Sequence, residues 1–167
     1  MALLYCNQYN FVDNTFYMYQ FLWEVSNMKF TSDDFAKELK SKNIRLSHQR
    51  LKVLEYLSEN KCHPTVDQIY TSLHKEIPTL SKTTVYSTLS ALADAGMVKS
   101  INIEDNEIRY DITVEDHGHF KCESCGAIFD FPADMSRLES EVLSGFKIRD
   151  KNVYFKGTCP MCLANKN

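Results

Sequence analysis

The sequence predicts an α+β chain in two parts: short helices running into a β-hairpin, then a small α/β unit built around four cysteines. Three observations carry that reading. Apolar residues recur at helical spacing from about residue 31 to 95. From Ser100 they alternate at period two. Beyond that, Cys122-x-x-Cys125 and Cys159-x-x-Cys162 stand 33 residues apart.

The helices have readable boundaries. Thr31 and Ser32 can cap a helix whose Phe35 and Leu39 share a face. Ser47 can cap a second, with Leu51, Leu54 and Leu57 inward. Asn60 to Pro64 breaks the chain, and Thr65-x-x-Gln68 is a capping box opening a third helix on Val66, Ile69, Tyr70 and Leu73. After Ile77-Pro78, Ser81 can cap a fourth helix with Val85, Leu89 and Leu92 buried, which Gly96 ends. Ile101 and Ile103 then alternate with Ser100 and Asn102. A polar turn at 104–107 follows, and Ile108, Tyr110, Ile112 and Val114 alternate with Arg109, Asp111 and Thr113. Helices followed by a hairpin is the winged-helix order. A helix-turn-helix reads DNA with its second helix. Here that helix starts at Ser81 and presents Lys82, Thr83, Tyr86, Ser87 and Ser90 outward. Lys82 suits a phosphate and Tyr86 a thymine methyl. A solvated helix face has the same pattern.

Composition is compatible with this. Of 167 residues, 44% are hydrophobic and 25% charged, as in ordinary globular chains. There is no apolar run of about 18 residues to span a membrane. Residues 28–100 carry a net charge of +3 and residues 101–167 a net charge of −4, which permits a nucleic-acid-binding half without demanding one. Residues 1–27 contain no Lys or Arg and eight aromatics, and Asn7, Gln8, Asn10, Asp13 and Asn14 interrupt the apolar core that a secretory signal needs, so none is expected. Composition changes abruptly at Met28, so the expectation is an upstream start with Met28 as the true one. An aromatic arm that packs on a partner is the functional alternative.

Six cysteines, without a secretory signal, read as metal ligands before disulfides. The two-residue spacing lets both thiolates of a pair reach one tetrahedral ion at about 2.3 Å. Gly126 and Pro160 suit tight knuckles. Four sulfurs leave no open position, so a Zn(II) held by Cys122, Cys125, Cys159 and Cys162 is structural. The gap exceeds the common zinc-ribbon range. A strand at 127–131, a helix with Met135, Leu138 and Val142, a stop at Gly145, and strands around 146–149 and 153–156 fill it.

A second ligand set is visible. His117 and His119 point the same way in an extended chain, with Asp111 upstream on the polar face of its strand. Asp130 lies between Phe129 and Phe131, where a carboxylate needs a partner. His63 sits at the break before the third helix. Mixed His and Asp donors suit Fe(II), Mn(II) or Zn(II). A lone loop histidine is ordinarily a solvated side chain, and sequence alone does not join His63 or Asp130 to the pair.

These segments resemble the ferric-uptake-regulator superfamily. His63-Pro64-Thr65-Val66-Asp67-x-Ile69-Tyr70 resembles its His-Pro-Thr segment, and Arg45-Leu46-Ser47-His48-Gln49-Arg50 resembles the segment before its second helix. Thr83 to Leu89, with Ala95 to Val98, resembles its recognition helix and exit, and Asp116 to Gly126 its metal segment. The resemblance runs from about residue 31 to 162. It implies a winged-helix DNA-binding domain over residues 28–110, with Arg45 beside Lys82, Thr83, Tyr86 and Ser87 on the DNA. It further implies a metal-binding dimerisation domain over 111–167, in a cytoplasmic homodimer on a two-fold symmetric operator. The peroxide-sensing repressors are the most similar branch. Their regulatory ligands carry over to His63, Asp111, His117, His119 and Asp130. Iron-uptake regulators place Glu at the position of Asp130 and a late histidine where this chain reads Arg149-Asp150-Lys151-Asn152; no histidine follows His119. The branch implies Fe(II) or Mn(II) in the site, with His63 and His117 as the oxidation-sensitive ligands. Cys62 and His48 depart from the family's small residue and proline. Three alternatives stand beside this reading: a metal-responsive repressor without peroxide sensing, a zinc enzyme such as a deaminase, and a thiol redox switch. The deaminase signature needs His-x-Glu and Pro-Cys-x-x-Cys, and neither is present.

Overall fold

The computed structural model describes residues 30–104, 107–137 and 140–165. Residues 1–27 and the tip of the polar turn at 105–106 lie outside the described residues. Four helices come first: α1 (Ser32–Ser41), α2 (His48–Glu59), α3 (Val66–Leu73) and α4 (Lys82–Asp94). Their starts are set by side-chain caps. Thr31 and Thr65 each form a reciprocal capping box, with Asp34 and Gln68 respectively, and Ser47 and Ser81 each accept the backbone N–H three residues on. Phe30 stacks on Phe35 at 5.4 Å, the hydrophobic staple that fixes the entry into α1. His48 occupies the first position of α2, directly after its Ser47 cap, where a proline would also be tolerated. Gly96, at φ +67°, ends α4 with Met97 N–H donating to the Leu92 carbonyl and Gly96 N–H to that of Ala93.

The core among the helices is apolar. Leu39, Val53, Leu54, Ile69, Val85, Leu89 and Leu92 are fully buried, and Tyr110 from the hairpin closes the cluster. That hairpin consists of β1 (Lys99–Glu104) and β2 (Glu107–Asp111), antiparallel. Its register slips between Ile101 and Glu104, so β1 spends one residue more than β2 over that span, as at a β-bulge. Thr65 adds an isolated antiparallel bridge to Arg109. Ile101 and Ile103 are buried against Ile128 and Tyr154 of the second half of the chain, not against the helices.

The second half holds a three-stranded sheet in the order β4-β3-β5. Strand β3 (Gly118–Cys122) runs antiparallel to β4 (Ile128–Phe131) and parallel to β5 (Tyr154–Gly157). A short helix, α5 (Pro160–Ala164), follows. Four expectations change here. The helix expected over Met135 to Val142 is two 3-10 turns, Met135–Arg137 and Glu141–Leu143, with Leu138 outside the described residues. Val142 is 81% exposed, so no packing sustains a helix through it, and Asp134 diverts backbone bonding by accepting from the Ser136 N–H. No strand forms at 146–149, where Phe146 and Ile148 lie exposed without strand pairing. The alternating run from Ile108 to Val114 is a strand only as far as Asp111, so Ile112 and Val114 fall beyond it, and Ile108 is exposed. The second cysteine pair occupies the first turn of α5, with Cys159 as its N-cap and Pro160 at the start, rather than a loop knuckle.

Gly118 shows how tightly the sheet is set. A Cβ there would lie 2.3–2.9 Å from ring atoms of Phe131, its cross-strand partner, which also stacks on Phe155 at 5.0 Å. Gly118→Ala is expected to lower stability by about 1–3 kcal/mol in urea unfolding, as overpacking does. In a Phe131→Ala background the same change is expected to cost almost nothing. Equal losses in both backgrounds would mean the ring is not what glycine accommodates.

Candidate metal centres and nucleic-acid face

The four cysteines come together. β3 ends in Cys122; Cys122 N–H donates to the Ala127 carbonyl, and Gly126, at φ +78°, returns its N–H to the Cys122 carbonyl. This places Cys125 beside the start of α5. The four Sγ atoms lie within 4.8 Å of one another, with Cys125 and Cys159 4.0 Å apart. Four sulfurs around a tetrahedral ion at about 2.3 Å stand about 3.8 Å apart, so the set fits Zn(II). Burial opposes a thiolate at Cys122, but N–H donors from Cys159, at 3.3 Å, and from Cys125 and Ser124 outweigh it and pull the thiol below its usual range. Burial and the neighbouring sulfurs push Cys125 up. A thiol that ionises more readily than usual, crowded by three other sulfurs, is a set that a divalent cation completes.

The second centre is assembled from four places in the chain. His63 precedes Pro64 in a left-handed backbone, φ +52°, and is 2% exposed. Tyr110 N–H donates to the Pro64 carbonyl and the Arg109 guanidinium to that of His63, so β2 holds the histidine's loop directly. Asp111 ends the same strand, buried rather than on a polar face as expected. Its Oδ1 accepts from the Thr113 N–H, which aims Oδ2 at the histidines. His119 lies on β3 between Asp130 of β4 and Tyr154 of β5. The Nδ1 of His117 meets the Glu115 carbonyl at 2.8 Å; as donor there it leaves Nε2 with a free lone pair.

The resulting geometry is compact. Asp111 Oδ2 lies 3.0 Å from His117 Nε2 and 3.7 Å from Nε2 of both His63 and His119. Asp130 Oδ1 lies 2.9 Å from His63 Nε2, 3.6 Å from that of His119 and 3.7 Å from that of His117. His117 and His119 bring their Nε2 atoms to 3.0 Å. His63, Asp111, His117 and His119 can each offer an atom within 4.8 Å of the others. Bonds of about 2.1 Å to one ion give donor separations of about 3.0–3.4 Å, which the observed range brackets. His63 Nε2 and Asp111 Oδ2 are buried without a well-formed hydrogen bond, so they face each other as ligands rather than as donor and acceptor. Charge agrees with shape. Burial disfavours a charged His63, yet Asp111 and Asp130 outweigh it and raise it to about 9. Asp111 raises His117 as well, and burial only partly opposes it. Burial also opposes ionised Asp111, but the three imidazoles hold its carboxyl well below the usual carboxylate range. The cluster demands positive charge, supplied by protons or by a divalent ion.

The nucleic-acid candidates lie elsewhere, on α4. Lys82, Thr83, Tyr86 and Ser87 are all exposed there, Tyr86 by 53%. Arg45 is exposed before α2, its carbonyl accepting from Arg50. Lys82 is engaged by Asp67 at 2.8 Å and lies 5.9 Å above the Tyr70 ring. Cys62 is half-buried beside His63. Sequence reasoning missed Arg109, Glu115 and Tyr154 around the second centre. Arg109 donates to a backbone carbonyl and Glu115 offers its own, contacts that leave no trace in spacing; Tyr154 is visible only through the β3–β5 register.

Comparison with known proteins follows this geometry. The model of the ferric uptake regulator family matches residues 41–156, which include every residue of the His/Asp cluster. A peroxide operon regulator of Bacillus subtilis is 36% identical over 133 residues, covering 77% of this chain and 91% of that protein. A peroxide-responsive repressor of Staphylococcus aureus is 30% identical over 142 residues, covering 83% and 96%. The crystal structure of the Vibrio cholerae ferric uptake regulator matches with a TM-score of 0.62 at 25% identity, over 75% of this chain and 100% of that one. With the family model matching most of the chain and these relatives covered almost in full, this chain belongs to the ferric uptake regulator family, a family of transcriptional regulators and not of enzymes.

Proposed function

We propose that the chain is a metal-dependent repressor that releases its DNA operator when hydrogen peroxide oxidises a ligand histidine. One observation carries this reading: His63, from the loop before α3, meets Asp111, His117, His119 and Asp130 in one cluster at the junction of the two halves. Its support from relatives is that the peroxide-responsive repressors above span almost their whole length in this chain. We assign Zn(II) to Cys122, Cys125, Cys159 and Cys162, and Fe(II) or Mn(II) to the His/Asp cluster. We place the division at residues 28–110 for DNA binding and 111–167 for metal binding and dimerisation. Among the described residues no helix is long and apolar enough to cross a membrane, in keeping with a cytoplasmic regulator. Val142, Phe146, Ile148, Phe155 and Leu163 are exposed apolar residues of the second half, suited to burial against a second copy on a two-fold symmetric operator.

The mechanism rests on this chain's residues. With a ligand drawn from each half, filling the cluster selects one placement of α4, and linkage requires DNA to tighten metal binding in return. His63, Asp111, His117, His119 and Asp130 would hold the ion, and Fe(II) there would make the site able to reduce peroxide, a chemistry Mn(II) would not supply. His63 and His117 are the rings assigned to gain an oxygen. A modified ring is a poor ligand, so His63 detaches and α4 loses its imposed position.

Cys159→Ser is expected to release zinc and to unfold or monomerise residues 111–167, since structural zinc contributes on the order of 10 kcal/mol in small sites. A zinc assay with gel filtration and circular dichroism checks it; a zinc-free mutant still dimeric with full secondary structure would refute the assignment.

Tyr86→Ala is expected to weaken operator binding by about 1–3 kcal/mol in gel-shift titrations. Lys82→Ala is expected to weaken all sequences alike and to flatten the salt dependence. If neither affects DNA affinity, α4 is not the reading helix.

Asp130→Glu keeps the charge but moves the carboxylate by a methylene. Fe(II)-dependent DNA binding is expected to survive and peroxide release to fall, measured by gel shift and by mass spectrometry of the histidine peptides. Wild type that holds DNA under low peroxide with Fe(II) bound would leave a plain metal-responsive repressor. Release with zinc lost and His63 and His117 unmodified would identify a thiol switch.

A further inference from the structure

The N-terminal half grips the His/Asp cluster at a second place besides His63. Helix α4 ends at Asp94, and Lys99 opens β1 five residues later. Between them Met97 and Val98 are buried in the helical core, so the backbone at Lys99 is fixed to the body that carries α4. Lys99 pairs across the hairpin with Asp111, which puts the two side chains on one face. From there its ammonium reaches the turn that joins Asp111 to His117. Nζ donates to the Glu115 carbonyl at 3.1 Å and lies 3.3 Å from Asp116 Oδ1. The same Glu115 carbonyl accepts from His117 Nδ1 at 2.8 Å. A carbonyl oxygen has two lone pairs and takes both donors. Val114, Glu115 and Asp116 are exposed, so burial does not set the course of this turn. Hydrogen bonds set it instead: Lys99 on the Glu115 carbonyl and, upstream, the Thr113 N–H on Asp111 Oδ1.

We propose, on the metal-binding reading above, that Lys99 is a positioning residue for His117. By pinning the Glu115 carbonyl it sets the direction in which the imidazole presents Nε2 to the cluster. It acts through a backbone oxygen, not on the ligand atoms themselves. The ion pair with Asp116 is secondary, because the Asp116 side chain is 65% exposed, where such a pair contributes little. The charge on Lys99 separates two possible roles. A cation near a cation site repels the ion. Charge alone therefore makes Lys99 a cost to metal binding, whereas its hold on the turn makes it a gain. Removing it moves metal affinity in opposite directions in the two cases.

The test is Lys99→Met in the full zinc-loaded chain, which keeps the stem and removes the donor and the charge. The probe is Mn(II), with the unbound ion counted by electron paramagnetic resonance. Mn(II) affinity is expected to fall about three- to tenfold, the range one hydrogen bond is worth. Lys99→Arg, which keeps donor and charge, is expected to stay within about twofold of wild type. The urea midpoint measured without Mn(II) is expected to stay close to wild type in both. Affinity that holds or rises in Lys99→Met overturns the proposal, since the turn would then not need its pin. So does a urea midpoint that falls in step with affinity, which would make Lys99 a support of the fold alone. Should wild type show no Mn(II)-dependent DNA binding while Mn(II) affinity still falls in Lys99→Met, the repressor reading fails and the role of Lys99 stands.

Discussion

A carboxylate in a protein interior has to be paired. Asp111 is 5% exposed, and the groups arranged around it are imidazoles from three other points in the chain. Much of the junction between the halves follows from that requirement. His63 reaches Asp111 only because the Pro64 carbonyl accepts from Tyr110 and Thr65 bridges to Arg109, which lays the loop before α3 along β2. His119 and Asp130 reach it because β3 and β4 pair in a register that sets them opposite each other. Protons can satisfy the cluster and so can a divalent ion, but only one of these holds all the side chains at a common centre. The local electrostatic demand is therefore also what organises the two halves.

Much of this was legible in the sequence, for identifiable reasons. Caps are local chemistry, so Thr31, Ser47, Thr65 and Ser81 mark their helices correctly. The cysteine pairs are legible because two-residue spacing has few other uses. His117 and His119 are legible as a pair because strand periodicity aligns them, and Asp130 because an acid between two phenylalanines is out of place. What failed lies where stability comes from distant packing. The segment from Met135 to Ile148 carries helix- and strand-like patterns, but its apolar residues are exposed and the pattern alone does not hold the backbone. Ile101 and Ile103 alternate as a strand pattern requires, yet the partners that bury them, Ile128 and Tyr154, belong to the other half of the molecule. Family resemblance joined His63 and Asp130 to the cluster where residue patterns could not.

The two clusters divide the work by donor type. Four sulfurs form a closed set around the ends of β3 and α5, fixing a scaffold. Three imidazoles and two carboxylates form a mixed set at the junction. Asp130, 40% exposed, gives that set a side open to small solutes. A fixed scaffold beneath an accessible centre lets a reagent reach the second without dismantling the first.

The left-handed backbone of His63 adds a directional element. A non-glycine residue in that conformation is strained by about 1–2 kcal/mol, and it persists where surrounding structure over-determines it. Proline follows it, and cluster, bridge and guanidinium all hold it. Remove the pull on the side chain and the backbone gains by relaxing out of that conformation. The loop before α3 thus behaves as a cocked spring. Attachment has to load it, whereas detachment is assisted from within, which biases the molecule toward a prompt response and a slower reset.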